Sequence, residues 1–265
     1  FVPWGEYREM GVLAEEVGFA SIWLGDHFLY RRKGEDLGPW ECWSMLAALA
    51  AVTERVLLGP LVSPTGFRNP AVLAKMASTV DEISGGRLVL GLGSGWNEHE
   101  FDAYGVPYDR RVSRVEEEFV IITDLIRRGR SDFSGEFFQQ DNNVLIPPAR
   151  PDLPIRIGST GPRMLSVTAG EMDWWNEWFA NFGNTPDKLA RLVDQLHAAL
   201  VEADREPADV VKSAALFVEL PGSGERTTKK RISPITGGAK EITERLLEFS
   251  GVFDHVQLVV DPITI

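Results

Sequence analysis

The chain has 265 residues, 44% apolar and 25% charged, which suits a large globular core and matches neither a disordered nor a fibrous composition. A formal charge of -12 and a pI near 4.9 exclude the basic surface that nucleic acid or an anionic membrane requires. A single cysteine, Cys42, excludes a disulfide framework, and no apolar run approaches a membrane span, so a reducing cytoplasm is the expected setting.

Met10, Leu13 and Val17 recur at helical spacing and stop at Gly18, predicting a helix and its cap. Phe19 to Leu24 reads as a buried strand ending at Gly25-Asp26-His27-Phe28. A helix is expected over 41–52 and a strand over 55–59. The segment 60–70 carries three prolines and cannot be regular until Asn69-Pro70 opens the next helix. Leu73, Met76, Val80 and Ile83 mark one face of that helix, which closes at Gly85-Gly86.

Leu88 to Leu92 is the next strand, and it breaks into Gly93-Ser94-Gly95-Trp96-Asn97-Glu98-His99. Glycines after a strand suggest a dinucleotide fold, but the third glycine comes one residue early and no amphipathic helix starts before about Val112. The segment reads instead as a bare-backbone bend followed by a long loop.

Val112, Val115, Phe119, Ile122 and Ile126 give a further helix, and 131–148 forms short β-like pieces inserted between repeating units. Strands at 154–158 and 173–176, a helix through Leu189 to Leu200, a strand at 212–220, a polar loop to about Gly238, a helix at 239–249 and a strand at 255–260 complete the chain. Near-unbroken alternation predicts a parallel sheet covered by helices. Seven strands are counted. The expected fold class is therefore α/β, a (β/α)8 TIM barrel forming one domain over 1–265, with part of the first strand and last helix absent from this chain.

In such a barrel the residues just after each strand share one rim. That rim collects Asp26 and His27, Leu61, Val62 and Ser63, Ser94 to His99, and Gly158, Ser159, Thr160 and Gly161 with Arg163. His27 is the acid/base candidate, since imidazole titrates nearest neutrality; a loop-anchoring histidine is the competing role. Gly158 to Gly161, with two hydroxyls before Pro162, suits an anion, although a plain strand-to-helix turn has the same look. No histidine pair has metal-ligand spacing, so no metal is expected. Trp40, Trp96 and Trp175 are among eight tryptophans that gather at predicted strand ends, and they suit a flat apolar ligand.

Taken together, Glu15-Glu16-Val-Gly-Phe19 with Trp23-Leu-Gly-Asp-His-Phe28, Arg68-Asn-Pro70, Ser84-Gly-Gly-Arg-Leu88 with Gly91-Leu-Gly-Ser-Gly-Trp-Asn-Glu98, Arg111-Val-Ser-Arg-Val-Glu116 and Gly158-Ser-Thr-Gly-Pro-Arg163 resemble the luciferase-like monooxygenase superfamily, whose members use FMN or the deazaflavin F420. The resemblance implies a barrel with an insertion after the fourth strand, a flavin ring over the barrel mouth, and a phosphate tail near Gly158 to Gly161. It also implies a non-prolyl cis bond near Pro60-Leu61-Val62, a ring face including Ser63, Gly93, Ser94 and Asn97, Asp26 and His27 at the ring edge, and a homodimer. Relatives that oxidise sugar phosphates carry glutamate where this chain has Ser94 and tryptophan where it has Arg31, so that substrate class is not implied, and substrate choice is expected to differ at Ser94. The expected activity is F420-dependent hydride transfer to or from a small organic substrate. The alternatives are an FMN monooxygenase using oxygen and a catalytically silent flavin-binding barrel.

Overall fold

The structure is a computed structural model that describes residues 2–32, 34–222 and 232–261. Part of the polar loop expected before Gly238 falls outside the described residues. Two compact units divide the chain, Phe1–Ile157 and Gly158–Ile265.

In the first unit, α1 (Trp4–Glu16) leads to β1 (Ser21–Leu24), then to a small antiparallel hairpin, β2 (Tyr30–Arg32) and β3 (Glu35–Leu37), where the sequence predicts only a loop. Helix α2 (Cys42–Ala50) starts at Glu41, whose carboxylate accepts the Trp43 and Ser44 amides, relieving two of the donors every helix start leaves bare. Strand β4 (Leu57–Pro60) pairs in parallel with β1, Trp23 standing opposite Gly59. A Cβ on Gly59 would fall 2.3 Å from the Val89 carbonyl oxygen and 2.6 Å from the Trp23 ring, so the neighbouring backbone and the indole together require that glycine. After β5 (Ser63–Pro64), Asn69 caps α3 (Pro70–Ser84), and Gly85 ends it at φ 69°, the left-handed conformation that glycine adopts without penalty.

Strand β6 (Leu90–Gly93) pairs with β5 on one side. Its other edge takes the strand at Ile155–Ile157, and the intervening chain holds α4 (Glu98–Ala103), α5 (Arg111–Thr123) and the hairpin β7 (Arg130–Ser134) and β8 (Gln139–Val144). That hairpin begins one residue before the segment 131–148 that the sequence marks as an insertion and otherwise falls inside it. Strand β9 (Ile155–Ile157) completes the parallel set of this unit.

In the second unit, α6 (Pro162–Thr168) precedes β10 (Trp174–Trp178), followed by α7 (Phe179–Phe182), α8 (Ala190–Glu202), β11 (Val211–Glu219), β12 (Ile235–Thr236), α9 (Ala239–Leu247) and β13 (His255–Asp261). Strand β11 pairs in parallel with β10 over 211–215 and with β13 over 213–219, so these two occupy its opposite edges. Strand β12 pairs with Val218 and Glu219 and therefore takes up the β11 edge just beyond the end of β10. The seven parallel strands expected from the sequence are all present.

One helix is rotated relative to its apolar pattern. Met10, Leu13 and Val17 are 38%, 56% and 64% exposed, while α1 buries Gly11 and Glu15. Glu15 accepts the backbone amides of Glu54, Arg55 and Val56 at 2.6–3.0 Å, so this carboxylate is part of the turn between α2 and β4.

Beneath α5, Glu118 is buried and accepts the Thr65 hydroxyl. Burial pushes its carboxyl from 4.5 up to about 7, the Thr65 hydrogen bond and Arg114 opposing that rise only partly. Between those two values the folded chain holds a proton that the unfolded chain has released, so stability falls as pH rises through the interval. Wild type is expected to lose about 2–3 kcal/mol more than Glu118→Gln between pH 5 and pH 8 in urea unfolding. Parallel pH profiles for the two proteins would rule this out.

Candidate active site

His27 lies three residues past β1, with 15% of its side chain exposed. Its Nδ1 is 2.8 Å from Oε1 of Glu100, a carboxylate with no exposed surface. The other Glu100 oxygen accepts the amides of Phe28 at 3.0 Å and Leu29 at 3.4 Å. One buried carboxylate thus fixes both the imidazole and the backbone that carries it. Nδ1 is committed, and Nε2 has no partner among the described residues. The ring packs against Tyr30 at 4.5 Å and edge-on against Trp96 at 5.7 Å between centroids, and Trp96 is 66% exposed.

Asp26 is fully buried. It receives two bonds from Arg68, at 2.6 and 3.1 Å, and one from the Ser63 hydroxyl at 2.6 Å. Ser63 in turn accepts the Trp43 indole N–H at 3.0 Å, and Arg68 also bonds Glu41 at 2.6 Å. A forked guanidinium on a buried carboxylate is a strong, directional contact, so this network fixes the end of β1 relative to α2 and β5. Both Asp26 oxygens are bonded and neither is exposed, so the carboxylate expected at the ring edge presents no open face there.

The peptide bond between Leu61 and Val62 is cis and non-prolyl, and it falls within the predicted segment. Gly93 is buried at the end of β6, and Ser94 is half-buried with only a long 3.5 Å bond to the Gly95 carbonyl. Asn97 donates to the Leu29 carbonyl at 2.9 Å, tying the loop before α4 to the His27 loop.

Gly158 to Gly161 are half-buried, and the Ser159 hydroxyl accepts the Gly161 amide at 3.3 Å. The helix they open has only seven residues, so local amides and hydroxyls rather than a long macrodipole must hold any anion there. Trp175 is completely buried and donates its indole N–H to the Ser159 carbonyl at 3.0 Å. It braces the loop from below instead of lining a pocket. Trp40 is half exposed and bonds the Val2 carbonyl.

Glu100 and Glu41 were not picked out by sequence, and Arg68 entered only as part of a family motif, with no partner assigned to it. The available signal for Glu100 was its place one turn into a helix opened by Asn97, a helix too short to show periodicity. Cys42 is buried, and burial pushes its thiol well above its ordinary value, which makes it a poor nucleophile. Among the described residues no group of three or more His, Cys, Asp or Glu could hold a metal, and no helix is long and apolar enough to cross a membrane.

The donor set fits a flat heterocyclic cofactor. An imidazole with one nitrogen uncommitted is flanked by two aromatic rings and rigidly held from behind.

A family model described as luciferase-like monooxygenase matches residues 2–242. Pyrimidine monooxygenase RutA of Methylorubrum populi is 32% identical over 219 residues, covering 81% of this chain and 57% of that relative. The 5,10-methylenetetrahydromethanopterin reductase of Archaeoglobus fulgidus is 35% identical over 173 residues, covering 64% and 48%. The chain thus spans about half to three fifths of the length of these relatives. The solved structure of an F420-dependent secondary alcohol dehydrogenase in complex with an F420-acetone adduct superposes with a TM-score of 0.80 at 18% identity, covering 95% of this chain and 87% of that one. The shared fold is the α/β barrel class expected from the strand count. By the extent of the family match and the identity to its curated relatives, the chain belongs to the luciferase-like monooxygenase family.

Proposed function

We propose that this chain is a flavin- or deazaflavin-dependent oxidoreductase that moves a hydride between F420 and a small organic substrate. The observation that carries the reading is the His27–Glu100 pair at 2.8 Å, with Tyr30 and Trp96 against the imidazole. The cofactor, when bound, supplies the hydride acceptor or donor. His27 Nε2 gives or takes the accompanying proton, because Nδ1 is held by Glu100 and the tautomer is set by that bond. Asp26, Arg68 and Ser63 hold the His27 loop in place, while Leu61, Val62, Gly93, Ser94 and Asn97 are the proposed contacts to the cofactor. Trp96, edge-on against His27, would cover the reacting edge once the cofactor and substrate are bound. Gly158 to Gly161 are the proposed phosphate holders.

The monooxygenase reading, with reduced FMN and oxygen, draws support from the 32% identity to a relative named as a monooxygenase. A homodimer in a reducing compartment completes either reading, and its mass in solution is the check.

Titrating the protein with F420 and with FMN, following fluorescence of its eight tryptophans, separates the two. Saturable micromolar binding of F420 and not FMN is the expected result. Binding of FMN alone would transfer the assignment to the monooxygenase reading, and binding of neither would overturn both and leave a silent barrel that binds some other small ligand.

A further inference from the structure

The second unit holds a cavity of about 840 Å³ that the proposed chemistry does not use. It opens between the loop after α7 and β12, the strand that occupies the β11 edge beyond β10. Its polar lining includes Asn181, Asn184, Thr185, Lys188, Ser233, Thr236 and Arg245. Among the described residues two cations and several uncharged hydrogen-bonding groups converge there, and no carboxylate lines the cavity.

The wall is set before any ligand arrives. Gly183 ends α7 at φ 69° and Asn184 follows at φ 61°, so two successive left-handed residues turn the chain. The buried Asn184 amide then donates to the carbonyls of Phe217 and Ser233 at 2.9 and 3.1 Å and accepts the Phe217 amide at 3.0 Å. These bonds fasten the loop to β11 and to the approach to β12. A Cβ built on Gly183 would stand 3.2 Å from Lys188 Nζ, so the ammonium lies close against that glycine.

The charge balance points the same way. The chain carries 39 acidic residues against 27 lysines and arginines, yet Lys188 has no acid within ion-pair distance among the described residues. Among the described residues Arg245 is paired only with Glu248, three residues along at the end of its helix, at 2.8 Å and with both side chains partly exposed. Such surface pairs are worth little, and an incoming oxyanion competes with this one readily. Lysine serves as a point charge for phosphate and carboxylate groups, and hydroxyl and amide donors complete their shell.

We propose that this cavity is an oxyanion site that takes the carboxylate or phosphate group of a small molecule. Two sources present that chemistry. One is the carboxylate-bearing tail that F420 carries beyond its phosphate and FMN lacks, a source that rests on the deazaflavin reading. Trp175 of β10 braces the Ser159 loop, and α7 follows β10 directly, so the proposed phosphate loop and the cavity flank the same strand. The other source is a separate anionic substrate or effector.

Calorimetric titration of the full chain with inorganic pyrophosphate tests the site itself. Saturable binding that weakens about ten-fold in Lys188→Met, and less in Arg245→Met, is expected, the former being about 1.4 kcal/mol. No saturable binding, or equal affinity in Lys188→Met, would overturn the proposal. The source is read with F420 and a truncated F420 that lacks the glutamates. Tighter binding of the full cofactor, with the difference lost in Lys188→Met and pyrophosphate displaced, supports the tail. Equal binding of the two, with pyrophosphate still bound to the loaded protein, supports a separate anion. If neither deazaflavin binds, the cofactor reading fails while the pyrophosphate result still decides the site.

Discussion

His27→Ala is expected to lower turnover by about 10²- to 10⁴-fold while leaving cofactor affinity within a few-fold of wild type, the range a positioned acid or base contributes. The separation between the two readouts follows from the structure. His27 touches aromatic neighbours and Glu100, whereas the proposed cofactor contacts come from Leu61, Val62, Gly93, Ser94 and Asn97. Glu100→Ala is expected to act on the same step through His27. Without the carboxylate, neither ring nitrogen is assigned as the donor, and the Phe28 and Leu29 amides lose their acceptor. Its loss should be about 10- to 100-fold in kcat, because orientation is degraded but the imidazole remains. Glu100→Gln is the sharper variant. A glutamine has one acceptor where Glu100 uses two, so it can satisfy the imidazole N–H or the backbone amides and not both. Steady-state kinetics with a cofactor titration on each variant checks this. Turnover within a few-fold of wild type in His27→Ala would remove the imidazole from the chemistry, and loss in Glu100→Ala with none in His27→Ala would make the pair structural.

Much of this arrangement is legible in the sequence wherever the signal is local. Strand ends at Leu24, Pro60, Gly93 and Ile157 follow from short apolar runs broken by glycine or proline. Asn69-Pro70 and Gly85 bracket α3 because an N-cap side chain and a left-handed C-cap each have a distinct residue preference. Asp26 and His27 were visible as strand-end residues, but their division of labour was not. That division depends on Arg68, 42 residues away, and on Glu100, 73 residues away. A one-chain reading has no means of pairing charges at that separation. Periodicity has a second limit, seen in α1. Met10, Leu13 and Val17 announce a helix correctly, yet spacing gives a face without saying what that face meets. The tryptophans show the same gap: Trp175 and Trp96 look alike as letters, while one is fully buried under Ser159 and the other mostly exposed beside His27.

The largest stability effect is expected at Arg87, the arginine of the Ser84-Gly-Gly-Arg segment. Its guanidinium donates to the carbonyls of Ser84 at 2.7 Å, Val56 at 2.8 Å, Ala50 at 2.9 Å and Thr53 at 2.8 Å, and to the Thr53 hydroxyl at 3.0 Å. These carbonyls belong to the end of α2, the turn after it and the end of α3, where helix geometry leaves acceptors unfilled. The amides of the same turn are filled from the other side by Glu15. The turn between α2 and β4 is therefore satisfied by two charged side chains, one supplying donors and one acceptors, and each side chain also anchors a different helix. Arg87→Met keeps much of the aliphatic stem and removes all five side-chain bonds, leaving partly buried carbonyls without donors. A loss of about 3–5 kcal/mol is expected, at about 1 kcal/mol for each of the carbonyls left without its donor. Arg87→Lys should recover only part of it, because one ammonium cannot reach three segments at once. The measurement is the urea midpoint at constant slope, with Arg163→Met, outside this network, as a control. A midpoint for Arg87→Met indistinguishable from wild type would show that water replaces the guanidinium at no cost, and that α2 and α3 are held to β4 by apolar packing alone.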